Sequence, residues 1–289
     1  MKIAVRGTRL FVDVEGLAWR WDGNRLRHFP PLFLLHGGPG GNHTGLKKDL
    51  GFLRRWFQLF FIDHRGCGLS DRCPTRTLNL NNNVEDIEAL RKQFGFDRIS
   101  ILGSSYGGMV TATYAARYPR NLQLLFLLGT AGSGDFLYAA QEYLRKHGNE
   151  TQIRVAQRLW KGEFRSQAQL ANYFKHLGPL YRRRPAPNPV RKQIPRMQFN
   201  LDALNVGFRE ILPKWNVLPA LRRVRVPAFI AVGKYDWICP VSQSVALARH
   251  LPVSTLKIYP HAAHSPSGDE PKRFRKDVEA FVRRWDRKL

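Results

Sequence analysis

Acidic residues are scarce in this chain: 22 Asp and Glu stand against 47 Lys and Arg, a formal net charge of +25 over 289 residues. A surface that basic attracts phosphate and anionic lipid, so nucleic acid has to be weighed as a partner from the outset. Cysteine is almost absent. Cys67, Cys73 and Cys239 make an odd number with no CxxC spacing, which excludes a disulfide framework or a cysteine zinc site and makes a reducing, cytoplasmic setting the expectation. Long apolar runs are missing too. The longest, Leu122–Leu128, is interrupted by Gln123 and falls far short of the roughly 20 residues a spanning helix needs. The start, Met1-Lys2-Ile3-Ala4-Val5-Arg6, meets a charge too early for a signal-peptide core. No repeat with a period of about 20–50 residues is present, which argues against solenoids and propellers. The chain does have 43% hydrophobic and 12% aromatic residues, enough for a sizeable core and too much for wholesale disorder.

Short apolar runs at Leu32–Leu35, Leu59–Ile62, Ile99–Leu102 and Leu122–Leu128 are bounded by Gly, Asp or Pro, as buried parallel strands are. The first of them is expected to be the third strand. Between them, Val84, Ile87, Leu90 and Phe94 recur at helical spacing, with Glu85, Asp86 and Arg91 turned outward. From about Ser133 to Trp215 the pattern becomes helical, polar and proline-interrupted, including Pro185-Ala186-Pro187-Asn188-Pro189. Strand runs return at Pro227–Val232 and Thr255–Tyr259, and a last helix follows Pro271. A βαβ pattern interrupted once and then resumed predicts an α/β fold, with a mostly parallel sheet and an inserted helical cap. The expected division is a core over 1–132 and 216–289 with a cap over 133–215.

Gly103-Ser104-Ser105-Tyr106-Gly107 matches G-x-S-x-G between a predicted strand and the predicted helix Tyr106–Arg117. In that context the glycines permit a strained strand-to-helix turn that lifts Ser105 Oγ clear, while the Tyr106 N–H faces any oxyanion formed there. His36-Gly37-Gly38-Pro39-Gly40 follows another strand, and such a loop supplies a second oxyanion donor, for which Gly38 N–H is the candidate. A phosphate-cradling reading fails because no Lys-Ser/Thr follows at the required spacing. His36 is read as a buttress of the loop. A serine also needs a base and the base an orienting acid. Asp236 follows the strand Pro227–Val232, and His264 follows Thr255–Tyr259, with His261 the alternative base. The order Ser, Asp, His is that of the nucleophile-elbow hydrolases.

With HGGPG at 36–40, DHRGCGLSD at 63–71, GSSYGG at 103–108, GKYD at 233–236 and HAAHSP at 261–266, the chain resembles the α/β-hydrolase superfamily, and within it the proline iminopeptidase-like serine hydrolases. The likeness covers nearly the whole chain and weakens between 133 and 215. It implies Ser105, Asp236 and His264 as the triad and Gly38 and Tyr106 as oxyanion donors. It makes Asp63 and Arg65 structural, paired with each other. Family aminopeptidases hold the substrate's free amine with glutamates, one in the cap and one directly after the triad aspartate. Here Trp237 follows Asp236, and the cap position falls near Asn205, with Glu210 close by. Trp237, Asn205, Glu210 and His36 are therefore the candidate substrate contacts.

The segment 133–215 holds fifteen Lys and Arg against six Asp and Glu, a balance of about +9, which disfavours a cationic amine and suits an anionic acyl substrate. The expected activity is cleavage of an ester, lactone or acyl amide of a small substrate through an acyl-enzyme, with no metal or organic cofactor. One alternative is an iminopeptidase-type aminopeptidase. The other is a non-catalytic binder of nucleic acid or anionic surfaces, built around basic clusters such as Arg182-Arg183-Arg184, Arg222-Arg223-Val224-Arg225 and Arg283-Arg284-Trp285-Asp286-Arg287-Lys288. Dispersed basic residues and the lack of a nucleic-acid motif count against nucleic acid. Phe136, Tyr143, Trp160, Phe164, Tyr173 and Phe174 either line an acyl pocket or form cap core. Oligomeric state is not legible.

Overall fold

A computed structural model describes residues 1–184 and 199–285. The proline-rich stretch 185–189 and the last charges of the C-terminal cluster, 286–288, lie outside the described residues. Ten strands are present among them: β1 (Lys2–Val5), β2 (Thr8–Glu15), β3 (Trp19–Asp22), β4 (Arg25–His28), β5 (Pro31–Leu35), β6 (Gln58–Ile62), β7 (Ile99–Ser104), β8 (Leu122–Leu128), β9 (Ala228–Gly233) and β10 (Ser254–Tyr259). Eight form one sheet in the order β1-β2-β6-β5-β7-β8-β9-β10, and β3-β4 form a separate hairpin. Pairing is antiparallel at β1/β2 and β2/β6 and parallel from β6 to β10. The run at 32–35 is thus the fifth strand rather than the third. The four strands before it are short or alternate polar and apolar residues, because an edge strand or hairpin buries only one face.

The helices are α1 (Thr44–Leu50), α2 (Leu80–Gln93), α3 (Tyr106–Arg117), α4 (Asp135–His147), α5 (Glu150–Lys161), α6 (Gln167–Tyr181), α7 (Leu201–Val206), α8 (Leu218–Leu221), α9 (Val241–His250), α10 (Pro266–Asp269) and α11 (Pro271–Trp285). In α2 the apolar stripe is Val84, Ile87 and Leu90, all buried, and the helix starts where Asn79 Oδ1 accepts the Asn82 N–H. The central strands β5, β7, β8 and β9 are buried on both faces, so helices must cover each side. One core layer packs α2, α3 and α9 against the sheet and runs on into α4–α7. The opposite layer packs α11 through Phe274, Val278, Phe281 and Val282, each worth about 1.5–3 kcal/mol in burial. Among the described residues no helix is long and apolar enough to cross a membrane.

Parallel strands all end at the same edge. The loops after β5, β7, β9 and β10 therefore meet there, with α4–α7, from the segment between β8 and β9, packed over them.

Candidate active site

Ser105 sits at the turn between β7 and α3 with φ 56° and ψ −122°. A non-glycine residue there carries roughly 1–3 kcal/mol of strain, which its neighbours must absorb. They do so by close packing. A Cβ on Gly103 or Gly107 would collide with backbone, of Gly107 and of Leu35 respectively, and one on Gly108 would lie 2.6 Å from Thr130. The turn is also pinned to β8, because Ser105 N–H donates to Leu128 O (2.9 Å) and Thr130 Oγ1 donates to Ser105 O (2.7 Å). Ser105 does not cap α3 with its side chain. Its hydroxyl lines a cavity and makes no hydrogen bond to another described residue.

The loop after β5 lies against this turn. A Cβ on Gly37 would come within 2.9 Å of Ser105 Cβ, and Gly38 has φ 133° with Gly40 N only 2.7 Å from where its Cβ would be. Only glycine fits there. His36 buttresses the loop from behind: its Nε2 accepts the His64 N–H (3.1 Å), so Nδ1 carries the proton it shares with Gly37 O (2.8 Å). Burial lowers the pKa of His36, and that of His64 further, so both rings are neutral. The Tyr106 side chain turns away from the cavity, its hydroxyl accepting from Asn83 Nδ2 at 2.9 Å, which leaves its backbone N–H at the start of α3 as the group of interest.

Asp236 lies beyond β9, and His264 in the loop beyond β10. Their carboxylate and ring meet at 2.8 Å, Oδ2 to Nδ1. Asp236 is buried, and its other oxygen accepts the N–H groups of Ile238 (3.1 Å) and Cys239 (2.9 Å). His264 N–H donates to Tyr181 O at the end of α6 (3.1 Å), and the Tyr181 ring meets the imidazole edge-on at 5.4 Å. His264 and Ser105 line the same cavity; His261 is exposed and does not.

That cavity holds about 280 Å³ and is largely apolar, with Met109, Leu159, Leu204, Phe208, Leu212 and Ile238 among its walls. Phe136, Tyr173 and Phe174 contribute to it, whereas Tyr143, Trp160 and Phe164 do not. Cys239 reaches it as well, but burial pushes its thiol well above the ordinary range, so it is no rival nucleophile. Asp49 is the one carboxylate among the described wall residues, and Arg182 pairs with it at 3.1 Å.

Of the four expected substrate contacts, only His36 reaches the wall. Trp237 is fully buried behind it, stacked edge-on with Tyr181 at 5.3 Å and Trp160 at 5.9 Å. Asn205 is occupied in a two-way clip with the Phe164 backbone (2.9 and 2.8 Å). Glu210 faces solvent and pairs with Arg209 at 2.7 Å. The expected Asp63–Arg65 pair is also replaced. Asp63 accepts from the His43 ring (2.9 Å) and two backbone N–H groups, while Arg65 grips Asp86 with two bonds of 2.7 and 2.6 Å. Two residues apart beyond a strand, Asp63 and Arg65 point to different neighbours.

Three supporting residues escaped the sequence reading. Asp269 accepts N–H bonds from Ala263 (2.8 Å) and from Arg183 and Arg184 (3.1 Å each), tying the His264 loop to the end of α6. Asn200 N–H donates to Gly40 O and its Nδ2 to Gly66 O (2.8 Å each), clasping together the loops after β5 and β6. Gly129 has φ 50°, and a Cβ there would sit 3.3 Å from both Asp236 Oδ2 and His264 Nδ1. An acidic residue three positions after Ser265-Pro266 was a weak signal for Asp269; the other two had none.

A family model described as the alpha/beta hydrolase fold matches residues 30–271. The chain belongs to the α/β hydrolase fold family. Within the curated members of this family it is 29% identical over 267 residues to a proline iminopeptidase of Saccharolobus solfataricus, covering 87% of this chain and 84% of that one. The solved proline iminopeptidase of Mycobacterium smegmatis superposes with a TM-score of 0.77 at 22% identity, over 99% of this chain and 98% of the other. An esterase from Exiguobacterium antarcticum gives 0.70 at 19% identity, over 96% of each. The chain is a hydrolase of the α/β fold with proline iminopeptidase relatives.

Proposed function

We propose that this hydrolase cleaves an ester, lactone or acyl amide of a small substrate through an acyl-enzyme on Ser105. The observation that carries the reading is a single apolar cavity lined by Ser105 on its strained turn and by His264, whose Nδ1 is held by Asp236 at 2.8 Å. With Nδ1–H given to Asp236, the free Nε2 takes the Ser105 proton as Oγ attacks the carbonyl. The Asp236 carboxylate then stabilises the imidazolium. Gly38 and Tyr106 N–H groups receive the oxyanion, each such donor being worth about 2.7–4 kcal/mol. His264 returns the proton to the leaving group, and water repeats the sequence to free the acid.

The absence of a requirement for a free amine follows from charge. An ammonium buried in the cavity would need a carboxylate, and Asp49, the one available among the described residues, is committed to Arg182. The stretch 185–198 has no Asp or Glu in its sequence. An anionic acyl group remains part of the proposal. Acidic and neutral substrates of equal size, compared as salt is raised, test it: identical kcat/KM and identical salt response remove that element.

A second reading, release of an N-terminal residue, is favoured by the curated relatives named as proline iminopeptidases. A panel of simple esters, lactones, N-acyl amides and amino-acyl naphthylamides separates the two. Turnover of blocked substrates at least as fast as free-amine ones supports the first; strict dependence on a free amine supports the second. In either case Ser105→Ala should abolish hydrolysis of a short-chain nitrophenyl ester and labelling by a fluorophosphonate while the protein stays folded. Full activity in that variant sinks the mechanism.

A further inference from the structure

The cavity leaves most of the net positive charge unused, and four arginines come together at the opposite edge of the sheet. Parallel strands that deliver Ser105, Asp236 and His264 at one edge begin at the other, about 20 Å away for six residues of strand. At that beginning edge, Arg98 precedes β7, Arg120 precedes β8, and Arg223 and Arg225 precede β9. All four line one groove of about 440 Å³ with Trp285 at the end of α11. None of the four is paired with a carboxylate among the described residues. Their side chains are solvent-exposed.

The β3-β4 hairpin joins this edge. It lies just before β5, and its register opposes Trp19 to His28, Arg20 to Arg27 and Trp21 to Leu26. Directly opposed residues share a face, so the hairpin is two-sided. Its inner face lays Arg20 over Phe29 (3.5 Å) and Arg27 over Trp56 (5.6 Å), while Arg283 of α11 covers the same Trp56 (5.5 Å). Its outer face carries Trp19 and Trp21, 57% and 73% exposed, with Leu26 at 53% and the adjacent Leu17 at 64%. The contacts run without a gap from hairpin to Trp56 to α11 to the arginine groove.

We infer that this edge docks the protein on an anionic lipid bilayer, with the outer face of the hairpin in the headgroup layer and the groove arginines on lipid phosphates. Indoles favour the membrane interface, and leucines beside them gain by leaving water. Guanidinium groups pair well with phosphate. A second copy of this chain is a poor occupant, because it would set arginines against arginines. Nucleic acid would use the arginines and stack on the indoles, but it offers little to Leu17 and Leu26. Docked in this way, the protein turns its cavity toward water, so the substrate arrives from solution. The inference does not depend on the reaction proposed for Ser105.

Co-sedimentation with vesicles tests it, using phosphatidylcholine alone and phosphatidylcholine with about one-quarter phosphatidylglycerol. Binding is expected only to the anionic vesicles and is expected to weaken as salt rises. The double variant Trp19→Ala/Trp21→Ala should weaken it about tenfold or more. Arg98→Glu/Arg225→Glu, which leaves the hairpin intact, should weaken it by at least roughly fivefold for each arginine. Both variants should keep the parent's melting temperature within a few degrees, which separates docking from folding. The proposal is overturned by no binding to anionic vesicles at low salt, by equal binding to neutral ones, by folded variants that bind like the parent, or by retention on RNA that anionic vesicles cannot displace.

Discussion

Asp236→Asn isolates what the carboxylate contributes to the proposed mechanism, because the surrounding geometry dictates how the amide must sit. One oxygen of Asp236 accepts two backbone N–H groups, from Ile238 and Cys239, at 3.1 and 2.9 Å. In the asparagine variant the amide oxygen has to remain there, since turning its NH₂ toward those donors would leave two buried N–H groups unpaired at about 1–3 kcal/mol each. The NH₂ then faces His264 Nδ1 at the position now 2.8 Å away, and Nδ1 must become the acceptor. The ring proton moves to Nε2, the nitrogen that has to be free to take the serine proton. Every hydrogen bond survives, so stability should change by less than about 1 kcal/mol. Turnover, by contrast, should fall on the order of 10⁴-fold, the effect of a wrong tautomer in such a triad, or about 5.5 kcal/mol at the transition state. The assay is kcat/KM on a nitrophenyl ester alongside urea unfolding of the same preparation. Activity within about tenfold of the parent, with unfolding unchanged, would refute the assigned orientation.

Other expectations follow from the same geometry. Asp269→Ala removes the acceptor for three backbone N–H groups between the His264 loop and the end of α6; we expect a loss of about 2–5 kcal/mol in urea unfolding, with kcat falling as the loop loosens. Gly129→Ala puts a methyl 2.7 Å from His264 O and 3.3 Å from the Asp236–His264 contact at a φ of 50°, so activity should drop by more than tenfold on displacement of the imidazole, read as kcat on the same ester. His36 and His64 are buried neutral, with pKa values held below the ordinary one by burial. The unfolded chain therefore binds protons that the native one refuses as pH falls below about 6.5. Stability should be full above that pH and decline below it by up to about 1.4 kcal/mol per pH unit for each ring, which urea midpoints across acid pH measure. A flat profile between neutral pH and about pH 5 would contradict it.

Much of the site was readable along the chain because its parts are local. An elbow is a contiguous G-x-S-x-G between an apolar strand and a helix, and the loops bearing Asp236 and His264 each follow directly on a short apolar run. Parallel pairing does the rest, since every strand in such a sheet ends at the same edge. The residues that failed the reading depended on a contact far away in sequence. Glu210 was close in sequence to a plausible cap position, yet it pairs with Arg209 in solvent, and Asn205 is fastened to Phe164. Trp237 follows the acid directly, but its indole turns inward against Trp160 and Tyr181.

The serine turn and the chain order of Ser105, Asp236 and His264 were set by the sequence alone, because apolar runs, glycine spacing and turn chemistry act over a few residues. Only the tertiary structure decided which walls close the cavity, that Asp63 and Arg65 serve different partners, and that Asp269 and Asn200 hold the loops in place. It also decided where the scarcity of acid matters. Arg98, Arg120, Arg223 and Arg225 meet at one edge because parallel strands bring their beginnings together, whatever their distance in sequence.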